Sequence, residues 1–416
     1  MNNLETSQNN DGIDTKSNSI KSSKSNIKKM IIKRVKLNSK KGTHRFIYLD
    51  GNNKHINDNK TLDRIKKLSI PPAYTDIKIS NDENHYLQAV GIDDKGRKQY
   101  IYKDTFVSKQ SKFKYCQLKH FGQHISEIRK NIRAIMLNDN PVMSKEKIIA
   151  LVIYILDNCH FRIGNLIYYT KHKSHGVSTL QPKHFKKVGN SFEIEFIGKK
   201  GVLNKCILED PVAVKLIKEL ISITNKENHP NNFIFHYKDE KDNLQLIKPI
   251  DINNFLIKYN PDITLKMFRT WGANFLFLEE MIKNKKEFVN IYKEYEPRIK
   301  ELKKDKSSTS NDKLKKIDII NKKILKDNDK LIRDIIQNIA IKLHNTPTIS
   351  KKSYLDNNLV LIYQEDPKSF WTKIIHSSNK NDLTNLLSEF LNYNCSVKKT
   401  TKKKQNGGSS CYFLTK

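Results

Sequence analysis

One change of period, near residue 115, limits this chain more than any other feature. Before it, short segments such as "HRFIYLD", "HYLQAV" and "KQYIYKD" alternate apolar and polar residues. They are separated by "DGNN", "SNDEN" and "DDKG", which are turn-forming residues. After it, "CQLKHFGQHISEIRKNIRAIML" and "EKIIALVIYILDNCHF" place apolar side chains at helical spacing. A chain that switches once from period 2 to period 3.6 is expected to be α+β. The reading is a small antiparallel β-rich domain at 36–107 followed by a mainly helical domain at 115–365.

Within the helical part, "SFEIEFIGKKGVLNKCIL" alternates on both sides of Gly198 to Gly201, the pattern of a β-hairpin with Lys199 and Lys200 at or beside its turn. Helical spacing resumes in "VAVKLIKELISI", "DINNFLIKY" and "MFRTWGANFLFLEEM". Residues 284–335 are lysine-rich around a Ser-Ser-Thr-Ser break and are expected to insert two charged helices. Residues 1–35, almost all polar at their start, are expected to be a disordered basic arm. Residues 366–416 are expected to form a C-terminal extension with one amphipathic segment, "DLTNLLSEFLNY", and a basic tail.

Composition narrows the function. A formal net charge of +33, spread along the chain, points to a polyanionic partner. An A/T-rich genome accounts for part of the lysine excess without removing the field it creates. The five cysteines (Cys116, Cys159, Cys206, Cys395 and Cys411) include no C-x-x-C pair, so neither a zinc module nor a disulfide framework is expected, and they read as reduced thiols. There is no G-x-x-x-x-G-K-[ST] phosphate loop, and the D-x-D of "KDNDK" lies among lysines, so neither ATP nor a metal is expected. No apolar run approaches the ~20 residues of a membrane span. A soluble intracellular protein follows.

Two arginines stand in distinctive settings, Arg162 in "FRIGN" and Arg269 in "KMFRTWG". Together with "IPPAYTDIKI", "GRKQYIY", "GVSTLQPKHF", "IGKKG" and "NTPTISKKSY", they make seven islands in one order over residues 36–362. In this the chain resembles the type IB DNA topoisomerases of the compact poxvirus and bacterial kind. The lysine- and asparagine-rich style suggests a large DNA virus as its source.

The resemblance implies double-stranded DNA as partner, a monomer closing on it as a clamp, and relaxation of supercoils by cutting and resealing one strand. Tyr354 matches the nucleophile that forms a 3′-phosphotyrosyl link. Arg162 and Arg269 match the guanidinium groups on the non-bridging oxygens, where planar permanent charges suit a phosphorane. Lys199, with Lys200 beside it as the alternative, matches the acid for the departing 5′-oxygen. Asn345 stands where poxvirus-like members have histidine, and His344 next to it is the other candidate for that contact. Gln99, Tyr100, Tyr102 and Tyr168 match DNA-contacting positions, although strand tyrosines also serve as packing residues.

Two other readings compete. A tyrosine recombinase would share the Arg, Lys, Arg, Tyr order but usually carries His-x-x-Arg where this chain has Lys266-Met267-Phe268-Arg269. A catalytically inactive DNA-binding protein would have no need of the four residues together.

Overall fold

The computed structural model describes residues 30–37, 45–305, 309–375 and 380–391. The chain divides into two compact units, one ending at Phe113 and the other beginning at Lys114.

The first unit is built on a five-stranded antiparallel sheet. Its strands are β1 (Met30–Leu37), β2 (Arg45–Leu49), β3 (Thr75–Ser80), β4 (Leu87–Ile92) and β5 (Lys98–Tyr102), in the order β2-β1-β3-β4-β5. Helix α1 (Asn59–Lys67) starts where the Asp58 carboxylate accepts the Thr61 N–H, and it buries Ile65. Ile32, Ile65, Ile77, Ile79 and Ala89 form this unit's core.

Strand β1 corrects one expectation. Residues 30–35 were assigned to a disordered arm, yet they pair with both β2 and β3. Met30 and Ile32 are buried while Ile31 is exposed, an alternation that the surrounding lysines hide from a compositional reading. Residues 1–29 of that arm lie outside the described residues.

The second unit is mainly helical. Helix α2 (Asp104–Leu137), which belongs to this unit from Lys114 on, is followed by α3 (Lys145–Cys159), which is buried nearly all round, with Ile148, Ala150, Val152, Ile153 and Ile155 at 0% exposure. Short α4 (Leu166–His172) leads to a three-stranded antiparallel sheet, β6 (Phe185–Val188), β7 (Ser191–Ile197) and β8 (Leu203–Leu208), in sequential order. Alternation in β7 turns Phe192, Ile194 and Phe196 to the core. Then come α5 (Pro211–Glu227), the β9 (His236–Lys238) and β10 (Leu244–Leu246) pair, α6 (Pro249–Leu256) and α7 (Lys266–Lys283).

The lysine-rich segment forms α8 (Lys285–Lys304) and α9 (Ser310–Lys342), which pack together, with Tyr295 donating to Asp327 at 2.8 Å. Helix α9 outruns the expected insertion, and Ile332, Ile335, Ile336 and Ile339 join the main core at helical spacing. The chain ends with α10 (Pro347–Ser353), α11 (Asn357–Glu365), α12 (Pro367–Ile375) and α13 (Lys380–Phe390).

Two further expectations are corrected. Residues 366–375 and 380–391 are no separate extension, since Phe370, Leu387 and Leu391 are fully buried in the same core as α7, and the expected basic tail lies outside the described residues. Nor are all the cysteines thiols. Cys159, at the end of α3, is bonded to Cys206 on β8, and Cys116 is also disulfide-bonded. Sequence spacing could not reveal a bridge between residues brought together only by the fold.

Candidate active site

Arg162 follows the C-terminus of α3, which ends with His160 in the left-handed region at φ 53°. The loop carrying it is held by the next segment, where Val177 N–H donates to the Arg162 carbonyl at 3.0 Å and Ser178 N–H to that of Ile163 at 2.8 Å. Two glycines permit this approach. Gly164 has φ +75°, and a Cβ on Gly176 would lie 2.4 Å from Gly164 N and 2.7 Å from the Arg162 carbonyl oxygen.

Arg269, 6% exposed, lies in the first turn of α7. Its two terminal nitrogens donate to the carbonyls of His160 and Leu343, tying the end of α3 to the end of α9. Its Nε is buried with no hydrogen-bond partner among the described residues. Burial, and secondarily Arg162, pull its pKa down to about 10, so it stays charged at neutral pH.

The end of α9 delivers the next group. Asn345 accepts from Arg162 Nη2 at 3.2 Å through its side-chain oxygen, while its Nδ2 is buried without a partner. His344 points elsewhere. Its Nε2 lies 3.0 Å from the Lys205 N–H nitrogen on β8, its ring is edge-on to Phe161, and burial above all drives its pKa down to about 4. Of the two candidates, Asn345 is the one beside the arginine.

Tyr354 follows α10 directly, with its ring 5.1 Å below the Arg269 guanidinium carbon. Burial is the largest single influence on the phenol and pushes its pKa up. Arg269 and Arg162 together outweigh it, and the net value falls below the ordinary 10.0. Removing one positive charge reverses part of this shift. In a spectroscopic pH titration, the tyrosinate signal that Tyr354→Phe removes should have its midpoint below 10 in the parent and higher in Arg162→Ala. An unmoved midpoint would mean that the Arg162 charge does not reach the phenol.

The backbone around Tyr354 is clamped by residues that sequence reasoning missed. Lys114 donates to the Ser353 carbonyl, and Tyr115 to that of Leu355. Asn274 donates to the Tyr354 carbonyl at 2.9 Å and accepts the Asp356 N–H at 2.7 Å. An asparagine at 0% exposure in the apolar run "WGANFLFLEE" was the available signal. Asn274→Leu keeps the branched outline but strands two buried backbone groups, and should cost roughly 2–4 kcal/mol in chemical denaturation.

Lys199 is not brought into contact with this cluster. It is exposed at the β7–β8 turn and makes no hydrogen bond or ion pair among the described residues, while Lys200 beside it has φ 64°. Tyr168 is 55% exposed on α4, just beyond the Arg162 loop.

In the first unit, Tyr100 and Tyr102 are exposed on one face of β5 with ring centroids 6.4 Å apart. Gln99 alternates to the other face, and its amide donates to Asp93 at 2.8 Å. That carboxylate also holds Arg97, whose hydrogen bond is the main reason its pKa lies far below the ordinary range. Gln99 thus spends one of its two amide N–H groups on Asp93.

Known proteins are similar to this chain over most of its described length. Residues 102–369 match the family described as eukaryotic DNA topoisomerase I, catalytic core, and residues 45–93 match the bacterial DNA topoisomerase IB N-terminal domain. The chain is 28% identical over 337 residues to DNA topoisomerase 1B of Acanthamoeba polyphaga mimivirus, covering 79% of this chain and 88% of that protein. It is 24% identical over 310 residues to DNA topoisomerase 1 of Rabbit fibroma virus (strain Kasza), covering 73% and 81%. No described helix is long and apolar enough to cross a membrane.

Proposed function

Because this chain belongs to the type IB DNA topoisomerase family, we propose that it relaxes supercoiled duplex DNA through a covalent link between Tyr354 and a 3′-phosphate. The Tyr354 oxygen bonds to phosphorus as the bond from phosphorus to the 5′-oxygen breaks. The phenol loses its proton to solvent, and the departing oxygen takes one from Lys199. The strand then swivels, and the 5′-hydroxyl reverses the attack. The ester keeps the energy of the broken backbone bond, so the cycle requires neither ATP nor metal.

One observation carries the reading. Two buried donors, Arg269 Nε and Asn345 Nδ2, have no hydrogen-bond partner among the described residues, and they belong to a cluster with the Arg162 guanidinium and a phenol of lowered pKa. Buried donors left unsatisfied are costly, and a phosphate group is the acceptor that suits two arginines and an amide. Arg162 and Arg269 supply permanent charge for the two extra-charged oxygens of the transition state, and Asn345 supplies a neutral hydrogen bond.

Tyr168 in the second unit and Tyr100 and Tyr102 in the first are exposed and suited to DNA contact, with the Gln99 amide as a further polar group for it. A single copy acting on duplex DNA is part of the reading. With a net charge of +33, binding should weaken steeply as salt rises, since each neutralised phosphate releases counterions.

The test is attachment to a suicide duplex whose cut end cannot religate. A covalent complex at Tyr354, formed in a chelator without nucleotide, is the expected result. Failure to form it unless magnesium is added would overturn the metal-free mechanism.

A further inference from the structure

Lys199 can protonate a leaving oxygen held by Arg162, Arg269 and Asn345 only if its exposed hairpin is fixed relative to them. Each strand of the hairpin has one bond leading back to that cluster. On β7, the Ile197 carbonyl accepts the N–H of His175 at 2.9 Å, and His175 adjoins Gly176, which packs on the Arg162 loop. On β8, the edge of the sheet, the backbone of Lys205 meets His344: Nε2 lies 3.0 Å from the Lys205 nitrogen and 2.9 Å from its carbonyl oxygen.

His344 directly precedes Asn345, and its left-handed backbone, φ 51°, turns the two side chains to different partners. Its Nδ1 lies 3.1 Å from the Lys342 carbonyl, and Phe161 stands edge-on at 5.1 Å, so the ring is fixed on two sides. A neutral imidazole with its proton on Nδ1 donates to Lys342 and accepts the Lys205 N–H at once. The side chain thereby acts as a strand partner for β8, four residues beyond the lysine turn.

We propose that His344 is a positioning residue for the leaving-group acid, holding the β7–β8 hairpin at the distance Lys199 needs while its neighbour Asn345 holds the phosphate. This rests on Lys199 being that acid. His344 touches no reacting atom in this arrangement. Its removal should slow only the step that needs the proton, because displacements of about 1 Å can cost ~10²-fold. The bridge from Cys159 to Cys206 keeps β8 attached when the histidine is replaced.

A leaving-group substitution tests this. Cleavage by the full-length chain would be measured on a suicide duplex, and on the same duplex with sulfur replacing the 5′-bridging oxygen at the mapped cleavage site. A thiolate departs without help, since thiols ionise near pH 8.5. His344→Ala is expected to be ~10–100-fold slow on the oxygen substrate and within about threefold of the parent on the sulfur one, as Lys199→Ala should also be. His344→Gln, whose amide can both accept from and donate to Lys205, should regain most of the rate on oxygen.

If His344→Ala is equally slow on both substrates while Lys199→Ala recovers on sulfur, His344 supports the whole site and the proposal is overturned. Parent-like cleavage of the oxygen substrate by His344→Ala overturns it too. If Lys199→Ala stays slow on sulfur, the acid assignment itself fails, and the proposal fails with it.

Discussion

Tyr354→Phe should lose covalent attachment and plasmid relaxation by ~10⁴-fold or more while binding duplex DNA as the parent does. The substitution removes one oxygen and little else. The ring that lies 5.1 Å from the Arg269 guanidinium remains, and so do the bonds from Lys114, Tyr115 and Asn274 to the backbone around residue 354. Folding should be preserved for that reason. The result also separates the catalytic reading from that of an inactive DNA-binding protein, in which the same change would alter nothing measurable. Relaxation near the parent rate would remove Tyr354 from the mechanism.

Arg269→Lys is the second large effect. The guanidinium serves the His160 and Leu343 carbonyls with its terminal nitrogens while leaving Nε unpartnered, and three donors on one plane can do this where a single ammonium cannot. The variant keeps a positive charge, so loss of charge cannot explain its defect. Cleavage of a suicide duplex should fall ~10²–10³-fold, the range for removing one preorganised donor. DNA binding should change little, because the side chain is only 6% exposed and the remaining charge is large. Near-normal cleavage would show that geometry at this position matters less than charge.

Much of this was legible in the sequence where one residue type has one physical use. The β7–β8 hairpin followed from alternation around "GKKG", and the buried α3 from an apolar run long enough for a helix. Other features were hidden. Strand β1 was hidden by the lysines in and around it, and the burial of α12 and α13 required knowing which core was still uncovered. The bond from Gln99 to Asp93 depends on a turn that brings residues 93 and 99 together, which the sequence did not announce.

The site divides in the same way. The sequence determined, through motifs that resemble a phosphodiester-cleaving family, that two arginines, a lysine and a tyrosine stand in that family's order, because chemistry at phosphorus needs fixed charge and a nucleophile whatever surrounds them. Which groups meet was decided only by tertiary structure. His344 and Asn345 are adjacent in sequence, but a left-handed backbone sends one to β8 and the other to Arg162. The bonds that position Tyr354 and Arg269 run to backbone carbonyls, and every residue has a carbonyl, so no spacing in the sequence could announce them.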